Sequence, residues 1–500
     1  MTLTLSPIPD TLSILLISDD EWQQTPDAVR RALERLWAEN QHLREQLGQT
    51  SRNSSRPPST DPPSVPKREQ PTTGRKAGGQ PGHASSNRPL VPPEQVTKFV
   101  PLRPAHCRHC GTAFSPAAQD ESPLVRQVFE IPPMVREVTE YQQHTLLCSQ
   151  CGQRTTAELP PGVPSGAYGP RLTAIAATLT GCYHLSKRAV SDIFATFFAV
   201  PISEGSVVRV EATLSAALAH PYAEALLAAR AADRKWVDET GWRQQRDPDP
   251  GAPPTDKLKK AWLWVVVTSA ATVFCIRRSR GRQVVSELLG EQPQGIFHTD
   301  RHSAYHRLLL TCRQLCWAHL RRDFQKLVER GGIAATVGAA LVAETQQLFH
   351  LCHRIRDGTL TRVEFIRQMA LVQAAVRAHL QHGAITADPR TATFCRILQR
   401  LDAALWTFVT HEGVEPTNNR AERAIRPAVL WRKLCFGTQT SAGSRSVERI
   451  LTAVATCRQQ GRNVLEYLTA VASATYQRQQ VPSLINSTGT IIHRLEGETP

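Results

Sequence analysis

Two short cysteine motifs, Cys107-Arg-His-Cys110-Gly and Cys148-Ser-Gln-Cys151-Gly, limit what this chain can fold into more than any other feature. Together they supply four thiolates, the donor set of a closed tetrahedral zinc site. The glycine after each pair permits a tight backbone turn. The reading is one structural zinc on Cys107, Cys110, Cys148 and Cys151, with unliganded thiols as the alternative. His109 is either a spare ligand or a surface residue. Between the motifs, residues 125–131 and 135–147 carry the β-branched and aromatic content of strands. Pro132-Pro133 breaks the two runs apart, so an inserted hairpin is expected.

Twelve cysteines would mean something else in a secreted protein. No positive residues precede the apolar patch near the start, so a secretory signal is not expected, and a reducing, cytoplasmic compartment is. The apolar run at 333–342 is too short to cross a bilayer and reads as a buried helix. At 500 residues the chain needs several domains. Its 59 Lys+Arg against 44 Asp+Glu, a net charge of +15, favour a polyanionic partner, a balance that ribosomal, membrane-surface and nuclease proteins share.

Residues 26–47 read as a helix with a heptad seam: Leu33, Asn40 and Leu47 at a, Val29, Leu36 and Leu43 at d. A single Asn at an a position fixes register in a two-stranded coil; an amphipathic helix is the alternative. Residues 50–96 are rich in Ser, Pro, Gly and basic side chains and cannot bury enough surface to fold alone. Arg75-Lys76 and Gly78-Gly79 suit either a DNA-contacting arm or a passive linker. Helices are expected at 171–182, 186–197 and 203–217, with Ser186 and Ser203 as N-caps. They form a helix-turn-helix or a plain helical layer.

From Trp236 the pattern turns α/β. Strands are expected around Asp238, at 261–268 and 272–277, then a helix at 282–289, a strand at 295–299 delivering Asp300, and a strand at 308–317. That is the order of a ribonuclease-H-like sheet, in which Asp238 and Asp300 end neighbouring strands. Residues 320–410 are helical and too long for a loop. Then EPTNNRAERAIRP at 415–427 sets Glu422 among Arg420, Arg423 and Arg426, behind Asn418 and Asn419. A lone acid in a basic setting suits a site for Mg2+ and phosphate. The structural alternative is a capping box from Asn419 to Glu422 with a Glu422–Arg426 pair. Closing helices lie at 447–478 around Gly461, and the chain is expected to fray from Val481.

Taken together, the motifs resemble the insertion-sequence-66 family of bacterial DDE transposases almost end to end. The resemblance rests on NSSRPPSTD, GRKAGGQPGH, the paired C-x-x-C knuckles and YGPRLTA, then on the DET strand, HTDRHSAY, CWAHLRRDF, EPTNNRAERAIRP and WRKLCFG. It implies a multidomain α/β protein with a ribonuclease-H-like core and an Asp-Asp-Glu triad matching Asp238, Asp300 and Glu422. These would hold two Mg2+ (or Mn2+) ions for DNA cleavage and strand transfer. His319, Asn418, Asn419, Arg420, Arg423 and Arg426 are candidates for active-site support or DNA contact. Double-stranded DNA, at the element ends and the target, is the implied partner. A homo-oligomer of at least two chains, accessory transposition proteins and association with the bacterial nucleoid are also implied. Members often have Gly-Tyr after the second aspartate, where this chain has Arg301-His302.

The expected organisation is a helix at 1–49, a linker at 50–97, a zinc module at 98–160 and a helical domain at 165–230. The catalytic domain then runs over 231–320 and 411–480, around a helical insertion at 321–410 and before a tail at 481–500. A DNA-binding regulator that has lost catalysis and a nuclease on the same fold are the competing functions. Retention of all three acids opposes the first; the zinc module and dimer helix oppose the second.

Overall fold

The structure is a computed structural model. It describes residues 22, 24–48, 90–118, 124–132, 134, 136–164, 166–244 and 259–485. The expectations for the 50–89 linker, including Arg75, Lys76, Gly78 and Gly79, and for 486–500 lie outside the described residues, as do the side chains of Leu43 and Leu47. Two compact units are distinguished: 64–137, and 1–63 with 138–500.

In the smaller unit the Cys107 turn is closed by Cys107 N–H to Thr112 O (2.9 Å) and Gly111 N–H to Cys107 O (3.0 Å). Gly111 sits at φ +75 with nothing near its missing Cβ, so conformation rather than crowding selects glycine. The strand expected at 125–131 does not form. Val128 and Ile131 are 81% and 79% exposed. β-propensity is realised only where a strand has a paired strand and a face to bury; here the Gln127 side chain, not a strand backbone, bonds Val91, and the apolar side chains stay exposed.

In the larger unit, helix α1 (Asp27–Gly48) spans the expected heptad segment, with Val29 and Leu36 exposed. The antiparallel pair β1 (Thr145–Leu147) and β2 (Arg154–Thr156) flanks the second cysteine turn. Of the strand expected at 135–147, only these last three residues form one among those described. The Cys148 turn repeats the first: Cys148 N–H to Gln153 O (2.8 Å) and Gly152 N–H to Cys148 O (2.9 Å), with Gly152 at φ +67.

Helices α2 (Pro170–Tyr183), α3 (Lys187–Phe198) and α4 (Glu204–Ala217) follow, and Ser186 and Ser203 cap α3 and α4 by accepting from Ala189 N–H and Ser206 N–H. A further helix, α5 (Ala219–Ala231), starts directly after Leu218.

The sheet is built from β3 (Arg234–Gln244), β4 (Lys259–Val267), β5 (Thr272–Arg277), β6 (Ile296–Thr299) and β7 (Arg313–Leu315), with α6 (Arg282–Leu289) between β5 and β6. Its order is β5-β4-β3-β6-β7. The first three strands are antiparallel neighbours, while β6 and β7 run parallel to β3. The strand expected over 308–317 shrinks to β7. A 3-10 turn occupies Leu310–Cys312, and the chain leaves the sheet when Trp317 N–H bonds to Pro416 O (3.0 Å).

Beyond β7 come α7 (Trp317–Glu329), α8 (Gly332–Arg356), α9 (Arg362–Ala384), α10 (Pro389–Arg400), α11 (Asp402–Leu405) and α12 (Thr407–Thr410). They enclose their own apolar cluster around Trp317, Phe324, Leu341, Met369 and Leu398. The 333–342 run lies in α8 and buries Ala334, Val337 and Leu341, as expected.

The chain returns to the sheet as α13 (Asn419–Cys435), packed along β3, then α14 (Ser441–Gln459) and α15 (Val464–Tyr476), with Gly461 at φ +68 between the last two. Edge strand β5 is covered by α14. Thr456, Thr452 and Glu448, four residues apart on the helix, accept from Thr272, Phe274 and Ile276 N–H at 3.1, 3.0 and 2.6 Å. Helix periodicity thus meets every second amide of the strand, closing an edge that would otherwise invite another chain. The expected fraying at Val481 is not observed through Ile485. Leu484 is 1% exposed, its N–H bonds to Glu224 and its carbonyl accepts from Gln460 and Arg462.

Candidate active site

Strand register carries Asp238 and Asp300 out of neighbouring parallel strands at the same end of the sheet. In the parallel pair, Arg234 faces Ile296 and Trp236 faces His298; the ladder ends there, two residues before Asp238 and Asp300, and the Asp300 charge bears on the Asp238 carboxyl. Likewise Phe297 faces Arg313 and Thr299 faces Leu315, which puts Cys316 beside Asp300. Cys316 N–H bonds to Thr299 O (2.9 Å) just there. Because side chains alternate along a strand, Trp236, Asp238, His298 and Asp300 share one face. The Trp236 and His298 rings stack at 4.6 Å, and the Arg420 guanidinium lies 4.5 Å above Trp236. Helix α13 therefore covers the face that carries both aspartates.

Asn418 ties that helix in place. It is fully buried; its side-chain amide donates to Val237 O (2.7 Å) and its N–H to Cys316 Sγ (3.1 Å). Glu422 follows in the first turn, with Oε1 3.2 Å from His319 Nδ1 and 3.9 Å from Cys316 Sγ. The capping box expected from Asn419 to Glu422 is absent. Asn418 holds the cap position without a side-chain cap bond, and Asn419 is the first helical residue. The amide that would cap the helix bonds the strand instead, and Glu422 turns to His319 rather than Arg426.

The electrostatics follow from this crowding. Burial, then the negative charges of Glu239, Asp300 and Glu422, push the Asp238 carboxyl well above the usual range. Asp238 has no ion-pair partner among the described residues. Asp300 accepts from His302 N–H at 2.8 Å. Asp238, Asp300 and Glu422 do not converge as one set within 4.8 Å; the group that does is Cys316, His319 and Glu422.

On the opposite face Glu239 is held by Arg280 (2.7 Å) and the Tyr305 hydroxyl. Arg313 is wholly buried beneath Asp300, donating to Thr299 Oγ1 (2.8 Å), Asp300 O (2.7 Å) and Tyr305 O (3.4 Å). Burial brings its guanidinium down to about 10, against the pull of Asp300. Sequence reasoning missed Cys316, Arg313 and the Glu239 network. The one signal for Arg313 was a lone arginine in an apolar run, and for Cys316 its spacing of three from His319.

Residues 165–446, more than half of the chain, match the family described as Transposase IS66 family. The chain belongs to that transposase family. Residues 104–152 match the zinc-finger binding domain of transposase IS66, and 12–89 a family of unknown function. An uncharacterized protein, y4qI, of Sinorhizobium fredii (strain NBRC 101917 / NGR234) is 28% identical over 240 residues. That alignment covers 43% of this chain and 44% of the relative, so the chain spans less than half of that protein's length.

The zinc-finger match spans both cysteine turns and supports zinc binding there. The Thr112 hydroxyl and amide hold the Cys110 thiol below its usual value, and the Cys151 and Gln150 amides do the same for Cys148. Such bonds favour the thiolate that a zinc ligand must be. The departure at Arg301-His302 has a structural role: Arg301 pairs with Asp323 of α7 (2.7 Å) and lies 5.1 Å from the Phe394 ring of α10, so it fastens the loop after Asp300 to the helical segment. Arg420 pairs with Glu415 (3.0 Å), while Arg423 and Arg426 are exposed on α13. No described helix is long and apolar enough to cross a membrane.

Proposed function

We propose that this chain binds the ends of its mobile element and catalyses Mg2+-dependent strand cleavage and transfer on double-stranded DNA through Asp238, Asp300 and Glu422. The observation that supports this is that Asp238 and Asp300 each follow the paired residues Trp236 and His298 by two positions, and that the charges of Asp300 and Glu422 bear on the Asp238 carboxyl. A sheet of order β5-β4-β3-β6-β7, antiparallel on one side of β3 and parallel on the other, supports a ribonuclease-H-like core. The donor set also fits divalent metal: all-oxygen ligands suit Mg2+, and Asp238 is crowded by three other carboxylates with no cation paired to it.

Two Mg2+ or Mn2+ ions, when bound by the three acids, would supply Lewis-acid stabilisation at the reacting phosphate. The chain's own part is positioning. Asn418 holds Glu422 against β3, and Arg313 fixes the backbone of Asp300 from below. Exposed Arg423 and Arg426 on the helix of Glu422 suit phosphate contacts that set the DNA's orientation. The net charge of +15 favours the encounter. Helix α1 provides self-association into at least a dimer, with accessory transposition proteins as further partners.

The amide variants Asp238→Asn, Asp300→Asn and Glu422→Gln test the reading. Each keeps size and removes charge, so end-DNA binding and folding should persist while cleavage and strand transfer fall together by orders of magnitude. A Glu422→Gln protein that still cuts removes Glu422 from the centre.

A further inference from the structure

The geometry points to a second kind of metal site, on Cys316, His319 and Glu422, which takes a thiophilic divalent cation of the zinc class and shares Glu422 with the proposed Mg2+ centre. The three donor atoms lie within 4.8 Å of one another. Glu422 Oε1 stands 3.2 Å from His319 Nδ1 and 3.9 Å from Cys316 Sγ. Ligands at about 2.0–2.3 Å from a tetrahedral zinc are themselves roughly 3.3–3.6 Å apart. The two pairs made by Glu422 therefore stand within a few tenths of an ångström of that spacing, and the third pair within 4.8 Å.

Two observations independent of the spacing point the same way. His319 Nδ1 is buried and makes no hydrogen bond, despite its closeness to Glu422. An unpaired buried ring nitrogen is costly and is the state a metal ligand would be left in. Cys316 Sγ already accepts the Asn418 amide (3.1 Å), the outer bond that orients a metal thiolate. The fold supplies the rigidity. Cys316 closes the row begun by β7, His319 sits in the first turn of α7, and Glu422 in the first turn of α13. Cys316 is 1% exposed, but the His319 and Glu422 side chains keep 27% and 31% exposure, which leaves a way in and a fourth position open.

Sulfur and imidazole donors select against Mg2+, which requires oxygen ligands in octahedral geometry. On binding, the ion replaces the Cys316 thiol proton, which leaves to solvent, and no other bond changes. The consequence rests on the proposed cleavage function: an ion held here occupies Glu422, so zinc-class cations antagonise the Mg2+-supported reaction.

The test uses the full-length, metal-stripped chain supplied with one equivalent of zinc, which the four thiolates of the zinc finger take in preference to the three-donor site. Co2+ is then added, and bound metal is measured by equilibrium dialysis beside the thiolate-to-cobalt charge-transfer absorbance. Wild type should take up one more equivalent than Cys316→Ser and show a band that variant lacks. His319→Gln should keep the band and bind Co2+ more than about tenfold more weakly, with circular dichroism confirming that each variant is folded. Equal uptake and equal spectra for wild type and Cys316→Ser overturn the site. In a second arm, Zn2+ is titrated into Mg2+-dependent cleavage of end DNA. Half-inhibition should require more than about tenfold more zinc for Cys316→Ser than for wild type; identical inhibition overturns the antagonism. If no form of the protein cleaves DNA, the catalytic proposal fails while the cobalt arm still decides the site.

Discussion

Replacing Asn418 with alanine separates a positioning role from a structural one. The side chain is fully buried and contributes one hydrogen bond, 2.7 Å, from its amide nitrogen to Val237 O, one residue before Asp238. Leaving a buried carbonyl without that donor costs about 1–3 kcal/mol. The substitution also removes Asn418 Oδ1, which is buried without a partner, and so recovers part of that cost. The net loss should be about 1 kcal/mol, a fall in Tm of no more than about 2–4 °C for a unit of this size. Activity should respond far more strongly. The bond is a direct link between the strand of Asp238 and the helix of Glu422, and a displacement of about 1 Å between reacting groups costs about 10²-fold in rate. Calorimetry, end-DNA binding and Mg2+-dependent cleavage on the same preparation give the three readouts. Wild-type cleavage with a lowered Tm would refute the positioning argument, and a Tm fall above about 10 °C would show that the bond holds the fold as a whole.

Asp323 should stabilise the protein in a pH-dependent way. Burial raises its carboxyl, but the Arg301 hydrogen bond and charge, with Lys326, outweigh this and hold it below the ordinary range. A depressed folded value means stability is present above the unfolded value and lost as pH falls through the folded one. Asp323→Asn should therefore cost about 1 kcal/mol near neutrality, given partial exposure, and the gap in Tm should close on acidification below pH ~4; a constant gap would contradict the ion pair. Metal analysis of the Cys316→Ser chain should find about one zinc, lost together with the local fold when Cys148 becomes serine, whereas a folded metal-free chain would remove the zinc site. Val29 and Leu36 of α1 are exposed, and the α1 seam should make the chain self-associate in sedimentation, with Asn40→Leu altering the oligomer state; a monomer at high concentration would rule the seam out.

What could be read from the sequence depended on how far away each residue's partner lies. Ser186 and Ser203 cap helices three residues downstream, and β5 and α6 fall within the windows their own periodicity sets, so local rules suffice. The capping box at Glu422 failed because the decisive partner of Asn418 is Val237, 181 positions back, and a buried strand carbonyl needs that donor. Arg313 broke the long strand expected at 308–317 for the same reason. A guanidinium that must reach the carbonyls of Asp300 and Tyr305 belongs at the core beneath the loop, which forces the chain to turn before β7. The strands before Asp238 and Asp300 were legible, yet the register that sets Trp236 opposite His298 was not, since periodicity assigns strands without pairing them. Cys316 needed both kinds of knowledge. Its spacing to His319 is plain in the sequence, but only the return of α13 after a hundred residues brings Glu422 within 3.9 Å of its sulfur and turns a helix-start cysteine into a candidate ligand.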